Sequence, residues 1–256
     1  MSKVGVLILR APGTNCDVET AFAFQEAGAA TFLVHISELI RREKRLSDYQ
    51  IMVIPGGFTY GDDISAGKVL ANELKVKLGE DVKRFVDRGG LILGLCNGFQ
   101  VLVKANILPE LWNSGSPSLT LSANDSGKFE CRWVHLSVNQ ETPCVFTEGI
   151  AHMYLPVAHG EGKVVAAPEA LPRLNTVLYY TDEHGNTKAG YPYNPNGSVA
   201  NIAGICDVSG RIFALMPHPE RYIRGTQHPR WTSQGIRKYG DGFQIFVNAV
   251  KWAQQL

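Results

Sequence analysis

Hydrophobic positions along the chain first fall into short, nearly unbroken runs. Residues 4–9, 52–54 and 91–93 are apolar at almost every position and run into arginine, proline or glycine, as strands buried on both faces of a parallel sheet do. Between these runs the period changes. Val18, Ala21, Phe22 and the stretch 24–28 outline a helix closed by Gly28, and Val69, Leu70, Leu74, Leu78, Val82, Phe85 and Val86 outline a longer one with room for an interruption. The first hundred residues therefore predict an α/β unit. Further on, residues 129–138, 153–157, 177–181 and 212–215 read as strands, with Asn194-Pro195-Asn196-Gly197 as a turn between two of them. They predict a mixed, mostly parallel sheet with an antiparallel extension. Phe243, Phe246, Val247 and Val250, at i, i+3, i+4 and i+7, predict a closing helix with Asp241 as its cap. The polar stretches 113–128 and 223–240 are expected to be loops, and there are no internal repeats.

At 256 residues the chain is expected to form one domain, residues 1–256. Its 25 Lys and Arg against 24 Asp and Glu leave a formal charge of +1, so net charge points to neither nucleic acid nor an anionic membrane. The N-terminal apolar run is too short to span a bilayer and has no small-residue cleavage pattern. The cysteines at positions 16, 96, 131, 144 and 206 are scattered, odd in number and form no C-x-x-C pair. Reduced thiols in a cytoplasmic protein without a metal fit this spacing.

One cysteine stands apart. Gly94-Leu95-Cys96-Asn97-Gly98 follows a predicted buried strand and leads into a helical segment, the form of a nucleophile elbow with Cys in place of Ser. Small flanking residues relieve a strained turn, and the positive end of the following helix stabilises negative charge on the sulfur. The plainer alternative is a small buried hydrophobe, and Cys16, at another predicted helix start, is a rival nucleophile. A cysteine nucleophile needs a base and a group that orients it. His218 and Glu220, stiffened by Pro217 and Pro219 beyond the strand 212–215, supply both types, although a lone histidine there can also be structural. Gly56 and Gly57 after the strand 52–54 can turn backbone amides toward an oxyanion or form a simple turn. No G-K-[ST] follows them, so this is not a P-loop.

Taken together, PGG after one strand, GxCxG at the elbow and HPE late in the chain resemble the class I, triad-type glutamine amidotransferases, whose fold is flavodoxin-like α/β. More narrowly, APGTNCD, PGGFTYGDD, GLCNGFQ, PVAHGEG, NPNGS and MPHPER, in this order from about Leu7 to Arg221, resemble the glutaminase subunits of phosphoribosylformylglycinamidine synthase. The resemblance implies glutamine hydrolysis through a thioester on Cys96, with His218 as base and Glu220 as its orienting partner. It implies oxyanion donors in the backbone amides of Gly57 and Asn97, and contact of Gln100 with the bound glutamine. His159 is expected either to line the pocket or to brace a loop. Ammonia would pass to a synthetase subunit, with a small bridging subunit as a further partner. The resemblance implies no cofactor on this chain, and ATP and magnesium on the synthetase. Where common bacterial forms carry FSYGDYLRAG this chain has FTYGDDISAG; Asp62 stays in place while Asp63-Ile64-Ser65 replace Tyr-Leu-Arg, and if that arginine meets the synthetase in those forms, docking here must use other groups. Two other functions compete: a free-standing γ-glutamyl cysteine hydrolase, and a catalytically silent scaffold subunit.

Overall fold

A computed structural model describes residues 3–111 and 119–256. The strands are β1 (Gly5–Arg10), β2 (Ala30–His35), β3 (Ile51–Ile54), β4 (Leu91–Leu95), β5 (Leu119–Ala123), β6 (Glu130–Val138), β7 (His152–His159), β8 (Glu161–Ala166), β9 (Asn175–Thr181), β10 (Ile202–Cys206) and β11 (Ile212–Leu215). The helices are α1 (Asp17–Glu26), α2 (Ile36–Ile40), α3 (Lys68–Asp87), α4 (Asn97–Lys104), the single turn α5 (Trp231–Gln234) and α6 (Phe243–Ala253). A nine-stranded sheet runs in the order β2-β1-β3-β4-β11-β10-β9-β6-β7. The strands from β2 to β11 are parallel, and β10, β9, β6 and β7 continue antiparallel. This is the expected parallel sheet with its antiparallel extension. Its strand order reverses beside β1, and in open α/β sheets ligands bind outside the carboxyl ends of the strands at such a reversal. One apolar core packs α1 and α6 on one face of the sheet, and a second packs α2, α3 and α4 on the other.

Several sequence expectations change. The long helix α3 runs unbroken for 20 residues, because Leu70, Leu74, Leu78, Val82 and Phe85 keep one face buried along its length. The stretch 113–128, expected as a loop, contains β5, which pairs with β8 in a separate two-stranded sheet; its residues 113–118 lie outside the described part. Asp241 does not cap α6. Gly242 is the N-cap residue and makes no side-chain bond, while Asp241 accepts from the Tyr154 amide at 2.9 Å and pairs with Arg237. The stretch 223–240 is largely irregular, with α5 as its one turn of α-helix.

Candidate active site

The carboxyl ends of β1, β3, β4 and β11 converge on one edge, where the motifs meet. Cys96 lies between β4 and α4 with φ +49° and ψ −101°, a conformation that costs a non-glycine residue about 1–3 kcal/mol. It is held from both sides: its amide donates to Leu215 O at 2.8 Å, and its carbonyl accepts from the Phe99 amide at 2.9 Å. The flanking glycines answer a steric demand. A Cβ on Gly98 would stand 2.0 Å from the Ile54 carbonyl oxygen, and one on Gly94 would stand 2.9 Å from the Gly98 carbonyl. The Cys96 thiol is directed to the Ala158 carbonyl at 3.7 Å. It also sits at the start of α4, where unpaired helix amides favour negative charge.

His218 is pinned through its backbone. Its amide donates to Pro156 O at 2.8 Å, and two residues earlier the Met216 amide donates to Ala203 O at 3.0 Å. Pro219–Arg221 then form a short 3-10 turn against the start of α6, where a Cβ on Gly242 would stand 2.1 Å from the Pro219 carbonyl. This packing carries Glu220 back to the imidazole, with Nδ1 and Oε1 2.6 Å apart and both side chains almost wholly buried. The carboxylate accepts at Nδ1, leaving Nε2, buried and without a hydrogen-bond partner in the protein. Burial opposes charge on His218, but Glu220 and then the thiols of Cys96 and Cys16 favour it, and the net result lifts its basicity well above the usual imidazole range.

The Gly57 loop is braced by the loop after β1. Phe58 and Tyr60 amides donate to Gly13 O and Pro12 O at 2.9 and 2.7 Å, while Asn15 and Cys16 amides donate to Gly56 O at 3.4 and 3.2 Å. Thr14 and Gly57 face each other across this bridge as a pair not bonded to one another, so the Gly57 amide points away from the brace. Gly57 has φ +149°, and a Cβ there would meet Gly13 O at 2.7 Å, so only glycine fits. Thr59 Oγ1 donates to Asn97 Oδ1 at 2.7 Å, tying the same loop to α4. Asn97 Nδ2 in turn donates to Gln100 Oε1 at 2.8 Å, and Gln100 Nε2 donates to the Glu161 carbonyl. Gln100 thus bridges α4 and β8 with both ends of its amide engaged. Glu161 also pairs with Lys104 at 2.7 Å, and Lys104 donates to Ala66 O at 2.6 Å.

His159 ends β7 and is buried, with Nδ1 3.1 Å from Asn124 Oδ1 and Nε2 unpartnered. The rival thiol, Cys16, lies beside the same histidine: Cys16, His218 and Glu220 offer ligand-type atoms all within 4.8 Å of one another. Cys16 Sγ accepts from Arg221 Nη2 at 3.1 Å, yet burial holds its thiol above the ordinary range, which disfavours the thiolate that a nucleophile needs. Cys131 is exposed, and Cys144 and Cys206 belong to the opposite core. All the predicted site residues therefore gather at one sheet edge. The braces Thr59, Asn124 and Glu161 carried no chemical signature in the sequence, and neither did the approach of Cys16 to His218.

Residues 3–253 match the model of the CobB/CobQ-like glutamine amidotransferase domain. The chain is 59% identical over 256 residues, 100% of both chains, to the phosphoribosylformylglycinamidine synthase subunit PurQ of Dehalococcoides mccartyi. It is 43% identical to the PurQ subunit of Methanococcus maripaludis strain S2, over 96% of each chain. Among solved structures, PurLQS from Thermotoga maritima superposes with a TM-score of 0.75 at 32% identity, covering 98% of this chain and 99% of that one. With the elbow, the buried His–Glu pair and the braced glycine loop already assembled at one edge, these full-length matches establish that the chain belongs to the glutamine amidotransferases, in the family of PurQ subunits.

Proposed function

We propose that this chain hydrolyses glutamine to glutamate and ammonia at Cys96 and delivers the ammonia to a synthetase subunit that makes formylglycinamidine ribonucleotide in purine biosynthesis. The observation that carries the chemistry is the strained cysteine at a helix N-terminus beside a buried imidazole whose Nδ1 is held by a carboxylate at 2.6 Å. Cys96 passes its proton to His218 Nε2, and Sγ attacks the side-chain carbonyl carbon of glutamine. The oxyanion that forms faces the Gly57 and Asn97 amides. The imidazolium returns the proton to the amide nitrogen, the C–N bond breaks and ammonia leaves. Water then attacks the thioester as His218 takes its proton, and the C–S bond breaks to give glutamate and the free thiol. Glu220 stabilises the imidazolium and fixes its tautomer without taking a proton. Gln100, engaged at both ends, holds Asn97 in place.

The partner is the synthetase subunit, with a small bridging subunit as third member; the support is the PurQ identity of the relatives and the PurLQS composition of the solved neighbour. ATP and magnesium belong on the synthetase, since the glycine loop here lacks the G-K-[ST] of a phosphate cradle. The proposed compartment is the cytoplasm; no helix among the described residues is long and apolar enough to cross a membrane. Neither a free-standing hydrolase nor a silent scaffold accounts for both the intact His–Glu pair and the full-length match to PurQ subunits.

The test is a complex reconstituted with Cys96→Ala. It is expected to release no glutamate from glutamine, while ammonium at high concentration restores ribonucleotide amination. Glutamate release at the wild-type rate would refute the nucleophile, and failure of ammonium to rescue a properly assembled complex would refute the ammonia-supplying role.

A further inference from the structure

His159 holds one nitrogen engaged and one free, and Asn124 decides which of them carries the hydrogen. Asn124 Nδ2 donates to Lys128 O at 2.9 Å and to His159 O at 2.7 Å. Its Oδ1 is therefore the atom that accepts from the Gly162 amide at 3.1 Å and lies 3.1 Å from His159 Nδ1. An amide oxygen can only accept, so Nδ1 carries the hydrogen and the neutral ring presents a lone pair at Nε2. That atom is buried and has no partner in the protein. Burial and the positive charge of nearby His218 keep the ring neutral, with its basicity pulled down to about 4. The ring rests on Gly162, where a Cβ would stand 2.5 Å from Nδ1, so the motif's second glycine makes room for it. A histidine that stays a pure acceptor thus sits within the field of one that favours its charged form.

Resting on the glutaminase reading above, we propose that His159 Nε2 accepts an N–H of the substrate's carboxamide and so selects an amide over an ester or a free acid. The reacting C–N bond must lie near both the Cys96 sulfur and His218. β7, which ends at His159, touches both: the Ala158 carbonyl lies 3.7 Å from Cys96 Sγ, and the Pro156 carbonyl accepts from the His218 amide at 2.8 Å. The charge that His218 favours disfavours a second cation, the α-ammonium of glutamine, at this lone pair. A carboxamide nitrogen has two hydrogens, and His159 Nε2 and the Ala158 carbonyl are two acceptors at hand. A γ-ester has no hydrogen to give. The product carboxylate would set an oxygen against the lone pair, which favours its release. When Cys96 Sγ bonds to the carbonyl carbon and His218 protonates the departing nitrogen, the hydrogen bond to His159 stays with that nitrogen until it leaves as ammonia.

The experiment compares kcat/KM for glutamine and for glutamic acid γ-methyl ester in the wild-type and His159→Phe complexes. Both substrates pass through the same thioester, and kcat/KM reports the steps up to its formation. The glutamine-to-ester ratio is expected to fall on the order of 10-fold or more in the variant, the loss of one buried hydrogen bond to the amide. His159→Met fills a similar volume without a strong acceptor and should lower the ratio likewise if a phenyl ring cannot settle on Gly162. A purely bracing histidine would lower both substrates alike, so an unchanged ratio overturns the inference while leaving the glutaminase reading intact. A wild-type complex that leaves glutamine untouched overturns both.

Discussion

Replacing Gly98 by alanine tests whether the nucleophile and the oxyanion loop are positioned by one steric contact. The new methyl carbon would stand 2.0 Å from the Ile54 carbonyl oxygen and 2.9 Å from its carbonyl carbon. Both are backbone atoms and no rotamer can relieve the clash, so α4 and the end of β3 must separate by about 1 Å or more to restore ordinary contact. Ile54 is followed directly by Pro55-Gly56-Gly57, and Gly98 lies two residues after Cys96. The same shift therefore moves the sulfur away from the Gly57 amide. Overpacking of this kind costs about 1–3 kcal/mol, or a fall in Tm of about 2–12 °C at about 2–4 °C per kcal/mol for a chain of this size. A displacement of about 1 Å in a reacting group costs on the order of 100-fold in rate. The assays are thermal unfolding and kcat/KM for glutaminase in the assembled complex. Gly160→Ala is the control: it lies next to His159, but its nearest neighbour would be Phe129 Cδ2 at 3.8 Å. Wild-type Tm and kcat/KM for Gly98→Ala would refute the reasoning, as would equal losses for Gly160→Ala.

Two other predictions follow from the buried pairs. His218→Ala should cost glutaminase activity as much as losing Cys96, with Glu220→Gln milder, because residues acting as a unit are non-additive and the orienting member is the least costly; a worse Glu220→Gln would mean that the base is misassigned. His159 should lend the fold a pH dependence. Its basicity is about 4 when folded against about 6.5 when unfolded, so the unfolded chain binds more protons in this interval. Its contribution is present above about pH 6.5 and is lost as pH falls toward 4, with a slope of up to about 1.4 kcal/mol per pH unit. His218, raised in the fold, works in the opposite sense, contributing fully below about pH 6.5 and losing that contribution as pH rises through its higher folded value. Urea unfolding at pH 7 and pH 5 should therefore show a smaller loss of stability on acidification in His159→Phe than in wild type; equal slopes would remove His159 from the account.

Some of the fold was legible because burial on both faces leaves a mark in every residue of a strand. The runs at β1, β3 and β4 are of this kind. The sheet-edge strand β2 is not: Phe32 and Leu33 are 44% and 45% exposed, so its apolar residues follow neither a buried run nor a clean alternation. β5 and β8 pair only with each other, outside the main sheet, and β5 lies in a stretch whose polar neighbours suggested a loop. Asp241 fits a capping position in the sequence, but a tertiary contact with the Tyr154 amide claims its carboxylate.

The chain by itself determined the parts of the site whose chemistry is local. A sharp strand-to-helix turn favours small residues on either side of Cys96, and a carboxylate two residues from His218 is near enough in the chain to reach its ring once the turn at Pro219 is packed against Gly242. Only the tertiary structure decided that Thr59 meets Asn97 across 38 positions, that Asn124 sets the hydrogen on His159 across 35, and that Cys16 lies beside His218 with Arg221 on its sulfur. Such contacts depend on strand register and helix packing, which bring together residues far apart in the chain. A hydrogen bond of this kind imposes no spacing or periodicity on the sequence near either partner, so reading along the chain could single out Cys96, His218 and Glu220 as candidates for nucleophile, base and orienting carboxylate but not the groups that hold them in place.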